Sequence, residues 1–175
     1  MQYAKITLLC SFCYNNHAVR ITLLLIGATE KNYLNDGIAD YQRRLIHYLP
    51  FEIRVIADVK NSRNLTEEQQ KEREGKALLD LVSTGDELVL LDVGGIEVSS
   101  TGFASWIEKR MVAGTRQLIF VVGGAYGFSE AVYKRADSRI SLSRMTFPHQ
   151  LVRLLFVEQL YRAMTIIRGE PYHHA

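Results

Sequence analysis

LIFVVGGAYGFSEAVYKRADSRISL, residues 118–142, holds the pattern on which the fold reading turns. Leu118 to Val122 is apolar without alternation, as a strand covered on both faces of a parallel sheet must be. It opens directly onto the glycine turn Gly123-Gly124-Ala125-Tyr126-Gly127. Ser129 then stands where a short helix to about Ala136 would begin, and Ile140 to Leu142 returns as a strand. Strand, turn, helix and strand in this order make a βαβ unit.

The same alternation extends towards the N-terminus. Ile21 to Ile26 is a uniformly apolar strand ending at Gly27, and Asn32 to Tyr48 carries Leu34, Ile38, Tyr41, Leu45 and Tyr48 at helical spacing before Pro50. Phe51 to Val59 reads as a second strand, followed by a polar, unpatterned stretch from Lys60 to Leu65. Thr66-Glu67-Glu68-Gln69 reads as a capping box opening a charged helix to about Val82. Glu87 to Asp92 is a third buried strand that Gly94-Gly95 breaks, and Ser99 to Met111 is a helix with Phe103, Trp106, Ile107 and Met111 on one stripe. After residue 142 the chain passes through Leu142-Ser143-Arg144-Met145-Thr146-Phe147 to Pro148, placed for the first turn of a last helix. Apolar residues from Leu151 to Ile166 cover most of that helix's circumference, so it is buried, here or against another subunit. The expected architecture is α/β, a mostly parallel sheet with helices on both faces.

The length of 175 residues suits one domain with a substantial core. Residues 1–19 stand apart as an N-terminal extension: Lys5 to Leu9 is echoed by Arg20 to Leu24, and only the second copy leads into the ordered pattern. Upstream translation and an added edge strand are the two readings of the first copy. Residues 20–175 then form the single domain. The two cysteines, Cys10 and Cys13, form one C-x-x-C without a second ligand pair, a weak zinc signal; no metal is expected, and a reduced, cytoplasmic protein fits better. The apolar runs are too short for a membrane span, so no membrane partner is expected. The formal charge of +2 is uneven, with seven Lys/Arg against three Asp/Glu from Ala131 onward, which draws an anionic partner to the C-terminal region.

In open parallel sheets ligands settle beyond the carboxyl ends of the strands, so the loops after Leu91, Val122 and Leu142 form the candidate small-molecule site. The glycine turn matches neither the dinucleotide nor the triphosphate glycine signature, leaving a nucleoside-type ligand held by main-chain groups. His149, Arg153, Arg162, Arg168, Tyr172, His173 and His174 gather by sequence on or after the last helix; the tail has groups that can stack on a base or accept a proton.

Leu91-Asp92, VVGGAYGF (121–128), LSRMTFPHQLVR (142–153), EQLYRA (158–163) and RGEPYHH (168–174) together resemble one family closely. It is the RlmH family of SPOUT-class 23S rRNA (pseudouridine-N3)-methyltransferases, and the resemblance runs from about Ile21 to His174. The resemblance implies a C-terminal trefoil knot, S-adenosylmethionine as methyl donor, no metal, and a homodimer. It implies that Leu91, Gly123, Leu142, Ser143, Arg144, Met145, Thr146 and Phe147 bind the donor, and that Arg162, Tyr172 and His173 act at the target base. The implied substrate is a pseudouridine in helix 69 of 23S rRNA within the assembled 70S ribosome. The competing readings are a non-catalytic module that senses a nucleoside or docks on ribosomes, and a flavodoxin-like flavin binder.

Overall fold

Five parallel strands in the order β2-β1-β4-β3-β5 carry the molecule: β1 (Arg20–Ile26), β2 (Phe51–Ile56), β3 (Glu87–Glu97), β4 (Gln117–Val122) and β5 (Ser138–Ser141). The helices between and after them are α1 (Asn32–Leu45), α2 (Glu67–Leu79), α3 (Ser100–Val112), α4 (Glu130–Arg135) and α5 (His149–Arg168). The computed structural model describes residues 19–57 and 65–173. The expectations for residues 1–18 with Cys10 and Cys13, for the end of the second strand and the polar stretch after it, and for His174 and Ala175 lie outside the described residues.

The sheet is buried on both faces because successive residues of each strand point to opposite sides and both sides are apolar. Ile21, Leu23 and Leu25 of β1 join a core with α1, α3 and α5, through Ile38, Leu45, Phe103, Ile107, Phe156 and Leu160. Leu24 and Ile26 face the other way, into a smaller core with Leu78 of α2 and Val132 of α4. The capping box at α2 is present as expected: Gln69 donates its N–H to the Thr66 hydroxyl, and Thr66 donates its own to the Gln69 side chain.

Several boundaries differ from the sequence reading. The first helix ends at Leu45, with Ile46 to Tyr48 in turns, and Pro148 is the cap residue before α5 rather than part of its first turn. Ser129 occupies the cap position of α4 but makes no capping bond there. The largest correction concerns Gly94-Gly95, which do not end β3. The strand continues to Glu97, with a shift of register against β5 between Leu91 and Ile96, both of which pair with Ile140. A Cβ on Gly95 would lie 2.6 Å from the Ile140 nitrogen, so glycine here permits close approach of two backbones rather than a break.

Arg153 corrects the sequence reading further. Grouped by sequence with the site residues, it is instead fully buried near the start of α5. One terminal nitrogen donates to the Gly27 carbonyl at 2.9 Å and the Thr29 hydroxyl at 2.8 Å, and the other to the Ile26 carbonyl at 2.6 Å. These groups lie just past the last pairing of β1 with β4, and the guanidinium fork ties the last helix to the end of the first strand. Arg153→Met keeps the length but leaves the acceptors unsatisfied. It is expected to cost on the order of 3 kcal/mol, lowering the melting temperature by roughly 5–10 °C, as measured by thermal unfolding.

Candidate functional site

Adjacency of β3 and β5 brings the loop after Leu91 against the segment after Ser141. Leu91, Asp92, Val93, Ser141, Leu142, Ser143, Met145, Phe147 and Val152 line one cleft there, of about 340 Å³ including the space open to solvent. Local bonds shape its walls. Asp92 accepts from the Tyr133 hydroxyl at 2.6 Å and from the Gly94 N–H at 2.7 Å, holding the irregular stretch of β3 where its register against β5 shifts. The Ser141 hydroxyl donates to the Ser143 carbonyl at 2.9 Å, and the Met145 N–H donates to the Ser143 hydroxyl at 2.9 Å, folding the segment after β5 back on itself.

Of the residues expected to bind a ligand, Leu91, Leu142, Ser143, Met145 and Phe147 meet in this cleft. Arg144 turns outward to an exposed ion pair with Glu97 at 2.9 Å, and Thr146 is exposed and outside the lining. Gly123 lies one strand over: Leu91 pairs with Val122, so Asp92 and Gly123 are the next residues on neighbouring strands. It lines a separate, water-sized cavity with Glu74, Gly75, Gly127, Phe128 and Ser129. A Cβ at Gly123 would stand 3.1 Å from the Phe128 ring. The Gly127 N–H bonds the Gly124 carbonyl at 3.2 Å, and Gly127 has φ of +83°, so the turn is tight and requires glycine at its end. Sequence reasoning did not single out Val93, Val152 or Ser141; the spacing of Val152 within the last helix could have marked it as facing the loop.

A second cluster forms at the other end of α5. Arg162 donates to Glu158 from Nε at 3.0 Å and from a terminal nitrogen at 2.6 Å; its other terminal nitrogen lies 3.4 Å from His173 Nδ1. The Tyr172 hydroxyl lies 3.3 Å from both Glu158 and the Tyr41 hydroxyl, and the Arg162 guanidinium sits over the Tyr172 ring at 4.9 Å. Tyr161 meets Tyr172 edge-on, and the Tyr48 hydroxyl donates to Glu170, so the tail is docked against α1 and α5. The structure thus brings Arg162, Tyr172 and His173 together. Hydrogen bonding to Glu158 raises the Arg162 pKa, keeping the guanidinium charged. Burial, then the bond to Tyr41, pushes the Tyr172 phenol well above its usual range, so it is neutral at physiological pH.

A family profile described as "Predicted SPOUT methyltransferase" matches residues 19–173. The chain belongs to this SPOUT methyltransferase family. Among its relatives is the Ribosomal RNA large subunit methyltransferase H of Parabacteroides distasonis, 54% identical over 156 residues that cover 89% of this chain and 99% of that protein. The protein of the same name from Christiangramia forsetii is 56% identical over 154 residues, 88% of this chain and 98% of its own length. The solved SpoU methyltransferase AviRb of Streptomyces viridochromogenes, in complex with AdoMet, matches at a TM-score of 0.44 and 15% identity, over 87% of this chain and 60% of that one. Among the described residues, no group of three or more His, Cys, Asp or Glu could hold a metal ion, and no helix is long and apolar enough to cross a membrane.

The buried phenols give this SPOUT chain a pH signature. Burial foremost, then a carboxylate partner, raises Tyr48 above its usual range and pushes Tyr133 up to about 12; Tyr172 is raised as well. A raised folded-state pKa means stability is intact below the unfolded value and is lost as pH climbs through the folded one. Ultraviolet phenolate titration should show these phenols ionising after the exposed ones, with stability falling above about pH 10.

Proposed function

We propose that the protein transfers a methyl group from S-adenosylmethionine to N3 of a pseudouridine in helix 69 of 23S rRNA, acting in the cytoplasm on the assembled 70S ribosome. The observation that carries the reading is the cleft between Leu91 to Val93 of β3 and residues 142–147, in a chain identical at more than half of its aligned positions to proteins named ribosomal RNA large subunit methyltransferase H. Residues 20–175 are read as the methyltransferase domain, with 1–19 as an extension. The donor is assigned to Leu91, Gly123 and Leu142 to Phe147, and the target base to Arg162, Tyr172 and His173. The C-terminal trefoil knot that the family resemblance implies belongs to the same reading.

The reaction needs two reacting atoms in line. N3 attacks the methyl carbon, the carbon–sulfur bond breaks with its electron pair remaining on sulfur, and the N3 proton passes to a base. The donor supplies an activated methyl group on a sulfonium; the protein supplies position and a proton acceptor. Tyr172, held neutral, does not serve as that base, and His173 takes the role. While Arg162 donates to His173 Nδ1, the neutral ring carries its own proton on Nε2. His173 therefore accepts the N3 proton only when the target displaces that contact, and the terminal nitrogen of Arg162 so freed binds a carbonyl or phosphate of the RNA while Glu158 holds the rest of the guanidinium.

Two features support a homodimer with a shared site. Val152 lines the cleft and Arg162 belongs to the tail cluster, about ten residues and hence roughly 15 Å apart along α5. With the cleft and the tail cluster set apart along α5, the tail of one protomer is assigned to the cleft of the other. Val93 and Met145 at the cleft are 72% and 71% exposed, and Leu151 and Leu155 on α5 are half-buried, apolar surface for a second copy to cover.

Purified protein with labelled S-adenosylmethionine and ribosomes lacking the modification is expected to label one pseudouridine of 23S rRNA; absence of label rules the reading out. Gly123→Val drives a branched side chain into the Phe128 ring and is expected to abolish donor binding in calorimetry. Arg162→Ala is expected to bind the donor as wild type does while transfer falls by about 100-fold. For His173→Ala, an unchanged rate across the pH range would exclude the proton-accepting role.

A further inference from the structure

Glu74 is the buried carboxylate that the mechanism above leaves unused. It lies on α2, where Glu67, Glu68, Glu72, Arg73 and Lys76 are exposed, yet only 6% of its surface reaches solvent. A leucine would fill the same volume without the cost of taking a carboxylate out of water. Glycines on both sides make room for it. A Cβ on Gly124 would stand 2.5 Å from Glu74 Oε2, and a Cβ on Gly75 would stand 2.3 Å from the Ser129 hydroxyl oxygen. The first glycine lets the turn after β4 settle onto the carboxylate; the second lets α2 approach the start of α4. Glu74 Oε1 accepts from the Gln70 side chain at 2.8 Å, which fixes the carboxylate's orientation and aims Oε2 at the turn.

We propose that Glu74 is a positioning residue for methyl-donor binding, a strut under Gly124 that holds the Gly123–Gly127 turn in its receptive conformation. The inference rests on the donor reading given above and adds to it a residue on an element outside the cleft. Glu74 does not line the cleft and does not touch the donor; it acts through Gly124. Oε1 accepts the Gln70 bond while Oε2 faces the turn, so the two oxygens have different tasks. Glutamine in its place either loses the bond from Gln70 or presents an NH2 group to the turn.

The test is a double-mutant cycle read in donor affinity, with S-adenosylmethionine titrated calorimetrically into wild type, Glu74→Gln, Gly124→Ala and the double variant, and thermal unfolding recorded for each. Each single change is expected to weaken donor binding about tenfold, and the double variant to bind no more weakly than the weaker single, because both disturb one contact. Glu74→Gln should also raise the donor KM while leaving kcat at saturating donor near wild type, a split that a general loss of folding would not produce. Gln70→Leu, which removes only the orienting bond, should weaken binding in the same direction and keeps the test decisive should Glu74→Gln unfold. Additive losses, or wild-type donor affinity in both folded Glu74→Gln and Gln70→Leu, would overturn the proposal. A wild type that fails to bind S-adenosylmethionine at all overturns the donor reading and this inference with it.

Discussion

The Arg153 guanidinium, buried against the carbonyls of Ile26 and Gly27 and the Thr29 hydroxyl, is the constraint on which the rest of the C-terminal region depends. A charge without solvent must be surrounded by acceptors, and the end of a parallel strand is where carbonyls without ladder partners lie. By meeting them, Arg153 joins the last helix to the first strand. The segments on either side of it, 142–147 and the rest of α5, are anchored by that junction. The segment 142–147 is drawn over the carboxyl end of β3, and the tail is carried along α5 to Tyr41 and Tyr48 on and after α1.

Strand order sets the second constraint. With β3 between β4 and β5, the irregular stretch of β3 after Leu91 and the loops after Val122 and Ser141 stand side by side, although their residues are far apart in sequence. Backbone proximity is then managed by small residues: Gly95 against Ile140, Gly124 against Glu74, Gly123 against Phe128. Each lets backbone, a carboxylate or an aromatic ring come to a distance that a side chain would prevent. The two functional clusters lie at opposite ends of α5, and that separation supports a composite site in a dimer.

The sheet was legible because uninterrupted apolar runs such as Ile21 to Ile26 and Leu118 to Val122 have one explanation, burial on both faces. The capping box at Thr66 was legible for a similar reason, since its bonds are local. What escaped was non-local. Arg153 was grouped with surface and site residues because its partners are backbone carbonyls, which leave no trace in sequence. Gly94-Gly95 signalled a break, because glycine permits both a turn and a close strand approach. Glu74 was hidden among neighbouring charges, and only Gly75 beside it hinted that α2 meets another element there. The loops beyond Leu91 and Leu142 were marked by chemistry as a small-molecule site, whereas the roles of Arg162, Tyr172 and His173 came from family resemblance.

In the proposed dimer, donor and target are handled by different protomers. Mixing Gly123→Val protomers, whose donor site is blocked, with Arg162→Ala protomers, whose target site is impaired, tests it directly on unmodified ribosomes. Each variant alone is expected to be strongly impaired and subunit exchange to restore methylation, because the mixed dimer holds one intact pair of half-sites. A mixed dimer that forms, as judged by differential tagging, and still transfers no methyl group would contradict it.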